Sequence, residues 1–224
     1  MQITQNAVGR KVMMAVTGLL LLGFVMVHLL GNTSVFVGPD GINAYAEKLH
    51  SLGPVVWIFR LVMLGLFAVH IIYGIQLTLE NRAAKPVKYA RTKKLRATFS
   101  SETMIISGLV LLAFIVYHLL HFTLQVTDPA ISAKVNLDAL GRPDVYSMMV
   151  LGFQKLFVTL VYVVAMVFLL LHLFHGVGSL IQTIGTNNAQ TLPKVSLGGR
   201  ALAFILGLGY IAIPAAIIIG IIKA

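Results

Sequence analysis

Hydrophobic residues run in five long blocks along the chain, at about residues 12–36, 55–79, 100–126, 150–184 and 197–222, with short polar connections between them. Each block is long enough for a helix to cross a hydrocarbon core about 30 Å thick, which takes roughly 20 residues. The pattern predicts an all-α integral membrane protein: a single membrane domain over residues 1–224 with five transmembrane helices. The first block follows Arg10 and Lys11 as a signal peptide would. Its length, its His28 and the lack of a small-residue cleavage site predict a retained helix instead. Pro54 opens the second block and Pro193 precedes the fifth, where a missing amide hydrogen costs little. Pro214, inside the fifth, predicts a kink. No internal repeat or low-complexity segment is expected.

Composition agrees with a lipid solvent: 58% of residues are hydrophobic and 11% charged, against about 25% charged in soluble chains. The formal charge of +10 reads as membrane topology rather than nucleic-acid binding once the charges are located. Arg82, Lys85, Lys88, Arg91, Lys93, Lys94 and Arg96 crowd the connection between the second and third blocks. The positive-inside rule makes that connection cytoplasmic, along with Arg10, Lys11, Lys194 and Arg200. Asp40, Glu47, Asp128, Asp138 and Asp144 then lie outside, with the N-terminus cytoplasmic and the C-terminus external. The basic connection serves topology alone or also docks a soluble partner. The chain has no cysteine, which excludes disulfides, iron–sulfur clusters, thiolate-ligated haem and covalent haem attachment.

Six of the seven histidines, His28, His70, His118, His121, His172 and His175, lie in the apolar blocks, and only His50 lies in a connection. Ionisable groups at membrane depth are costly and usually face a bundle interior, so each is a functional candidate. Counted from the cytoplasmic ends, His28 and His118 lie about 16 to 18 residues in, and His70 and His175 about 10. Two levels result: an outer pair from the first and third helices, and an inner pair from the second and fourth. In a four-helix bundle such pairs can sit diagonally across the core, where cofactor sites are built. A porphyrin coordinated by imidazole on both faces needs that arrangement, so the first four helices are expected to form a bundle around two haems. Gly31, Gly74 and Gly176 lie close to these histidines, where a flat ring could approach bare backbone. The pairs His118/His121 and His172/His175 raise a non-haem iron alternative, but they lie at different depths and lack further clusters. His121 and His172 are expected to hydrogen-bond at the haem edges, although either could exchange roles with its neighbour. Haem propionates need cations or donors: Lys155 for the outer site, and Arg10, Lys11, Ser179 and Gln182 for the inner.

The four spaced histidines accompany two specific segments. One runs Ile42-Asn43-Ala44-Tyr45-Ala46-Glu47-Lys48-Leu49-His50-Ser51-Leu52-Gly53-Pro54. The other is His172-Leu173-Phe174-His175-Gly176-Val177-Gly178-Ser179-Leu180-Ile181-Gln182-Thr183-Ile184-Gly185. Together they make the chain resemble the dihaem cytochrome b subunit, b558 type, of succinate dehydrogenases and fumarate reductases. The resemblance implies that His28 and His118 ligate a distal haem b and His70 and His175 a proximal one, with Lys155 near the distal propionates. It also implies a flavoprotein and an iron–sulfur subunit on the cytoplasmic face of a bacterial cytoplasmic membrane, a quinone partner, usually menaquinone, and allows a dimer of complexes. The chain itself would be a non-catalytic electron-transfer subunit, possessing at most a share of the quinone site. Leu173 stands where some dihaem members carry a proton-transferring glutamate, which puts that proton route in doubt; Glu47 is the candidate acid at a quinone site. The alternatives are the cytochrome b anchor of another respiratory oxidoreductase, or a non-redox transporter or scaffold with histidine proton relays.

Overall fold

The computed structural model of the chain describes residues 6–84, 98–185, 188 and 190–224. The basic connection from Lys85 to Arg96 lies outside the described residues. Among the described residues eight α-helices follow in order: α1 (Ala7–Thr33), α2 (Pro39–Ser51), α3 (Pro54–Ala83), α4 (Phe99–Glu102), α5 (Met104–His118), α6 (Val145–Phe153), α7 (Leu156–Ile184) and α8 (Leu192–Ile218). No strand occurs among the described residues. Five helices, α1, α3, α5, α7 and α8, are long and apolar enough to cross a membrane.

Local chemistry sets the ends. Asn6 caps α1 by accepting the Gly9 amide at 2.6 Å. Gly53, with φ +54°, turns the chain into Pro54 at the first position of α3. Gly185, also left-handed, closes α7. The expected fourth helix, about 150–184, is two: it breaks at Gln154 and Lys155, where Lys155 has extended backbone angles. The Thr159 hydroxyl donates to the Phe153 carbonyl at 2.5 Å, satisfying an acceptor the break releases. The expected third helix, about 100–126, likewise divides into α4, α5 and a π turn over Leu119–Thr123. The connection holding Glu47 and His50 folds as α2.

In the bundle α1 packs on α3, α5 on α7 and α1 on α7, while α3 and α5 meet more loosely. The first four spans thus close a ring in which α1 and α5 are diagonal, as are α3 and α7. Span α8 lies outside the ring along α7 and α1. There small residues bring backbones close: a Cβ on Gly207 would lie 2.9 Å from Leu170, and one on Gly209 2.7 Å from Leu29. The Tyr210 hydroxyl donates to the Val25 carbonyl at 2.7 Å.

At the end opposite the N-terminus, α2, the 124–144 segment and α6 form a lid held by buried polar bonds. Asn43, fully buried, donates to Asp138 at 3.1 Å and Asp144 at 3.2 Å and accepts the Tyr146 amide at 2.9 Å. Arg142 pairs with both Asp40 and Asp138 at 2.7 Å. Burial pushes the Asp138 carboxyl up, but bonds from the Arg142 backbone and side chain, Asn43 and the Leu140 amide outweigh it and hold the group at about 2. A carboxylate held below its usual value near 3.9 stabilises the fold above that value, and the contribution is lost as pH falls through the folded value. The lid is therefore expected to resist pepsin between residues 124 and 144 at pH 3.5 and to be cut near pH 2. Asn43→Leu, which strands buried partners at about 1–3 kcal/mol each, is expected to lower the thermal midpoint of the detergent-solubilised protein.

Candidate cofactor site within the bundle

At the level nearer the N-terminus, the imidazoles of His70 on α3 and His172 on α7 face each other with ring centres 6.4 Å apart and planes at 65°. Each is held from behind by a hydroxyl on a neighbouring helix. Thr17 Oγ1 on α1 lies 3.3 Å from His70 Nδ1, and Ser107 Oγ on α5 lies 3.1 Å from His172 Nδ1. Both hydroxyls are buried. Beside each sits a glycine: a Cβ on Gly18 would come 3.2 Å from His70 Cε1, and one on Gly108 3.5 Å from His172 Cε1. The rings therefore lie against bare backbone.

At the other level His28 on α1 meets His118 at the end of α5, with ring centres 5.8 Å apart. Phe24 stacks on His28 at 5.3 Å, and Phe114 leans on His118 at 5.8 Å. Tyr162 on α7 ties this level together, its hydroxyl lying 3.3 Å from His118 Nδ1 and 3.0 Å from His121 Nδ1. The π turn makes this possible by adding a residue to the helical repeat after His118, where the Leu124 amide bonds back to Leu119. His121 is buried and lies against Gly152, whose added Cβ would be 3.4 Å from Nε2.

Both levels use diagonal helices. Among the described residues no three His, Asp or Glu side chains converge as a bare metal ion would require; the donors face each other in twos. A metal–imidazole bond of about 2 Å on each face of an iron sets two ring centres roughly 6 Å apart. The 5.8 and 6.4 Å separations fit that chemistry.

The residues named from sequence divide clearly. His28 and His118 come together. His70 meets His172 rather than His175, whose half-buried ring makes no hydrogen bond or ring contact among the described residues. Lys155 stands at the N-cap of α7 and pairs with Asp128, close enough for its charge to reach His121. Arg10 pairs with Glu80 across α1 and α3 at 2.8 Å, while Lys11 is exposed. Ser179 is partly buried; Gln182 and Glu47 are exposed, and none of these three side chains has a hydrogen bond among the described residues. Gly74 and Gly176 lie near methionines, Met14 and Met104.

Thr17, Ser107, Gly18, Gly108, Phe24, Phe114 and Tyr162 are additions that the structure makes. Most of them carry a sequence signal after all. Residues 14–30 and 104–120 are related by a shift of 90 and identical at nine of 17 positions: Met, then Thr or Ser, Gly, Phe and His recur at 14/104, 17/107, 18/108, 24/114 and 28/118. The partner helices share His-x-x-x-Gly at 70–74 and 172–176. The chain thus contains an internal repeat, contrary to expectation; leucine-rich spans resemble one another so generally that the shared polar positions stand out only when their contacts are known. By this register His172, not His175, is the counterpart of His70.

Residues 80–207 match the family described as the succinate dehydrogenase/fumarate reductase transmembrane subunit. No curated protein and no protein of known structure matches the chain.

The glycine contacts set a steric expectation. Gly18→Val forces two methyls toward the His70 ring, an overpacking cost of about 1–3 kcal/mol, and should lower the thermal midpoint. Gly23→Val on the same helix, where an added Cβ meets nothing within 4 Å, should leave it unchanged.

Proposed function

This chain belongs to the succinate dehydrogenase/fumarate reductase transmembrane subunit family, and from its paired imidazoles we propose that it carries electrons between membrane quinone and an iron–sulfur subunit through two bis-histidine b haems. It is a multi-pass membrane subunit whose family implies flavoprotein and iron–sulfur partners. The observation that carries the haem reading is the pair of cross-bundle imidazole contacts, 5.8 Å at one level and 6.4 Å at the other.

Haem, when bound, would supply one-electron chemistry. His28 and His118 would hold one group and His70 and His172 the other. We assign His172 in place of His175 because its ring opposes His70 and its Nδ1 is held by Ser107. His121 and Tyr162 orient His118. Lys155 and Arg10 are the proposed charges for propionates at the two ends, each already held by a carboxylate that fixes its position. The chain would carry electrons, and succinate or fumarate would be transformed on its partners. Thr17 touches the inner pair and His28, 11 residues further along α1, belongs to the outer, which separates the levels by about 16 Å.

A quinone, menaquinone or another, is the proposed membrane partner. An apolar groove of about 480 Å³ between α5 and α7, lined by Phe114, Tyr117 and Phe157 among others, offers lipid-side access to the outer level, and Tyr117 stacks on His121 at 5.6 Å. The charge distribution supports a bacterial cytoplasmic membrane with the N-terminus cytoplasmic and the C-terminus external.

Haem quantitation and a reduced-minus-oxidised spectrum of the purified complex test the reading. Two b haems per chain are expected; a spectrum lacking b-type bands would overturn the electron-carrier assignment. His172→Leu is expected to remove one haem and His175→Leu to retain both. The reverse result would return the ligand to His175.

A further inference from the structure

The hydroxyl of Thr17 has one hydrogen, and its shortest bond is to the Met13 carbonyl at 2.8 Å, with Met14 at 3.1 Å. Toward His70 Nδ1 it is therefore left as an acceptor. Ser107 repeats the arrangement: its hydrogen goes to the Met104 carbonyl at 2.9 Å and its oxygen faces His172 Nδ1. With the hydroxyl hydrogen committed to the backbone, the oxygen accepts at Nδ1, which puts hydrogen on Nδ1 and leaves the lone pair on Nε2.

We propose that Thr17 and Ser107 are a matched pair of positioning residues, each accepting the Nδ1–H of the inner imidazole on the neighbouring helix and so presenting its Nε2 lone pair to the bundle axis. The two hydroxyls occupy equivalent places in the 14–30 and 104–120 repeat, so each of α1 and α5 supplies an acceptor to the inner level and a histidine to the outer. The division leaves the levels chemically unequal. Both inner rings have a hydroxyl acceptor at Nδ1, whereas at the outer level His118 shares the single Tyr162 hydroxyl with His121, and His28 has the Asn32 amide nitrogen 3.4 Å from its Nε2 instead of a hydroxyl. An acceptor at Nδ1 raises the basicity of the opposite nitrogen and its donation to a metal, which stabilises ferric over ferrous iron. Thr17 and Ser107 would therefore hold the inner haem at a lower potential than the same histidines would give without those acceptors.

This inference rests on the haem reading, and potentiometric titration of the complex in membranes separates the two. The inner wave is the one that His70→Leu abolishes. Thr17→Val and Ser107→Ala are each expected to shift that wave upward, by roughly a tenfold change in the reduced-to-oxidised ratio, about 59 mV for one electron, and to leave the outer wave in place. Thr17→Ser and Ser107→Thr, which keep the acceptor, are expected to restore the wild-type value. Because the outer wave reports a folded bundle, an inner wave that stays at its wild-type potential in both hydroxyl-free variants would overturn the proposal while leaving the haem reading standing. Loss of the inner haem from Thr17→Val that Thr17→Ser cures would support it; loss that Thr17→Ser does not cure would refute it. Wild-type membranes with no haem wave would instead refute the haem reading.

Discussion

An imidazole in a hydrocarbon-embedded bundle must satisfy two ring nitrogens without water, and that requirement organises this structure. One nitrogen can be matched by a hydroxyl on an adjacent helix; the other is then left with a defined character and a defined direction. Thr17, Ser107 and Tyr162 supply those hydroxyls, and each is buried, where an unmatched polar group would cost several kcal/mol. The hydroxyls lie on neighbouring helices, so every bond that orients a ring also fixes the register of two helices. A site and a helix-packing device are the same set of atoms.

The rest of the molecule can be understood as support for this arrangement. The α3–α5 side of the ring is loosely packed, so the bundle depends on other restraints. Span α8 braces the outside through Gly199, Gly207 and Gly209, where side chains of α7 and α1 reach its backbone. Across the opposite end, the Asn43 cluster joins α2, the 124–144 segment and the start of α6, while Tyr146 reaches the Lys223 carbonyl near the C-terminus at 2.8 Å. The lid therefore ties together elements far apart in sequence at the end where His28, His118 and His121 gather.

Much of this was legible in the chain. Five apolar blocks gave five spans, because in lipid the backbone has little alternative to a helix. The depths of His28 and His118 against those of His70 and His175 suggested two levels, because rise per residue converts position into height, but the ring that opposes His70 is His172. What periodicity could not reveal was local. The helix break at Gln154 and Lys155 is a polar pair inside an apolar window, too brief to interrupt a span-length average. His172 and His175 lie on nearby parts of one helix face, and the contacts of His172 with His70 and with Ser107 on α5 distinguish them. Tyr162, one more aromatic in a hydrophobic run, becomes notable only when two histidines converge on its oxygen. Glu47, marked as a proton donor, is an exposed residue of the lid helix.

On the proposed reading, four imidazoles in two opposed pairs would hold two b haems. Low-temperature electron paramagnetic resonance of the oxidised complex tests it most directly. Two low-spin ferric signals of bis-imidazole type are expected, with no high-spin haem. A single such signal, or a high-spin signal from an iron with an open position, would contradict the account.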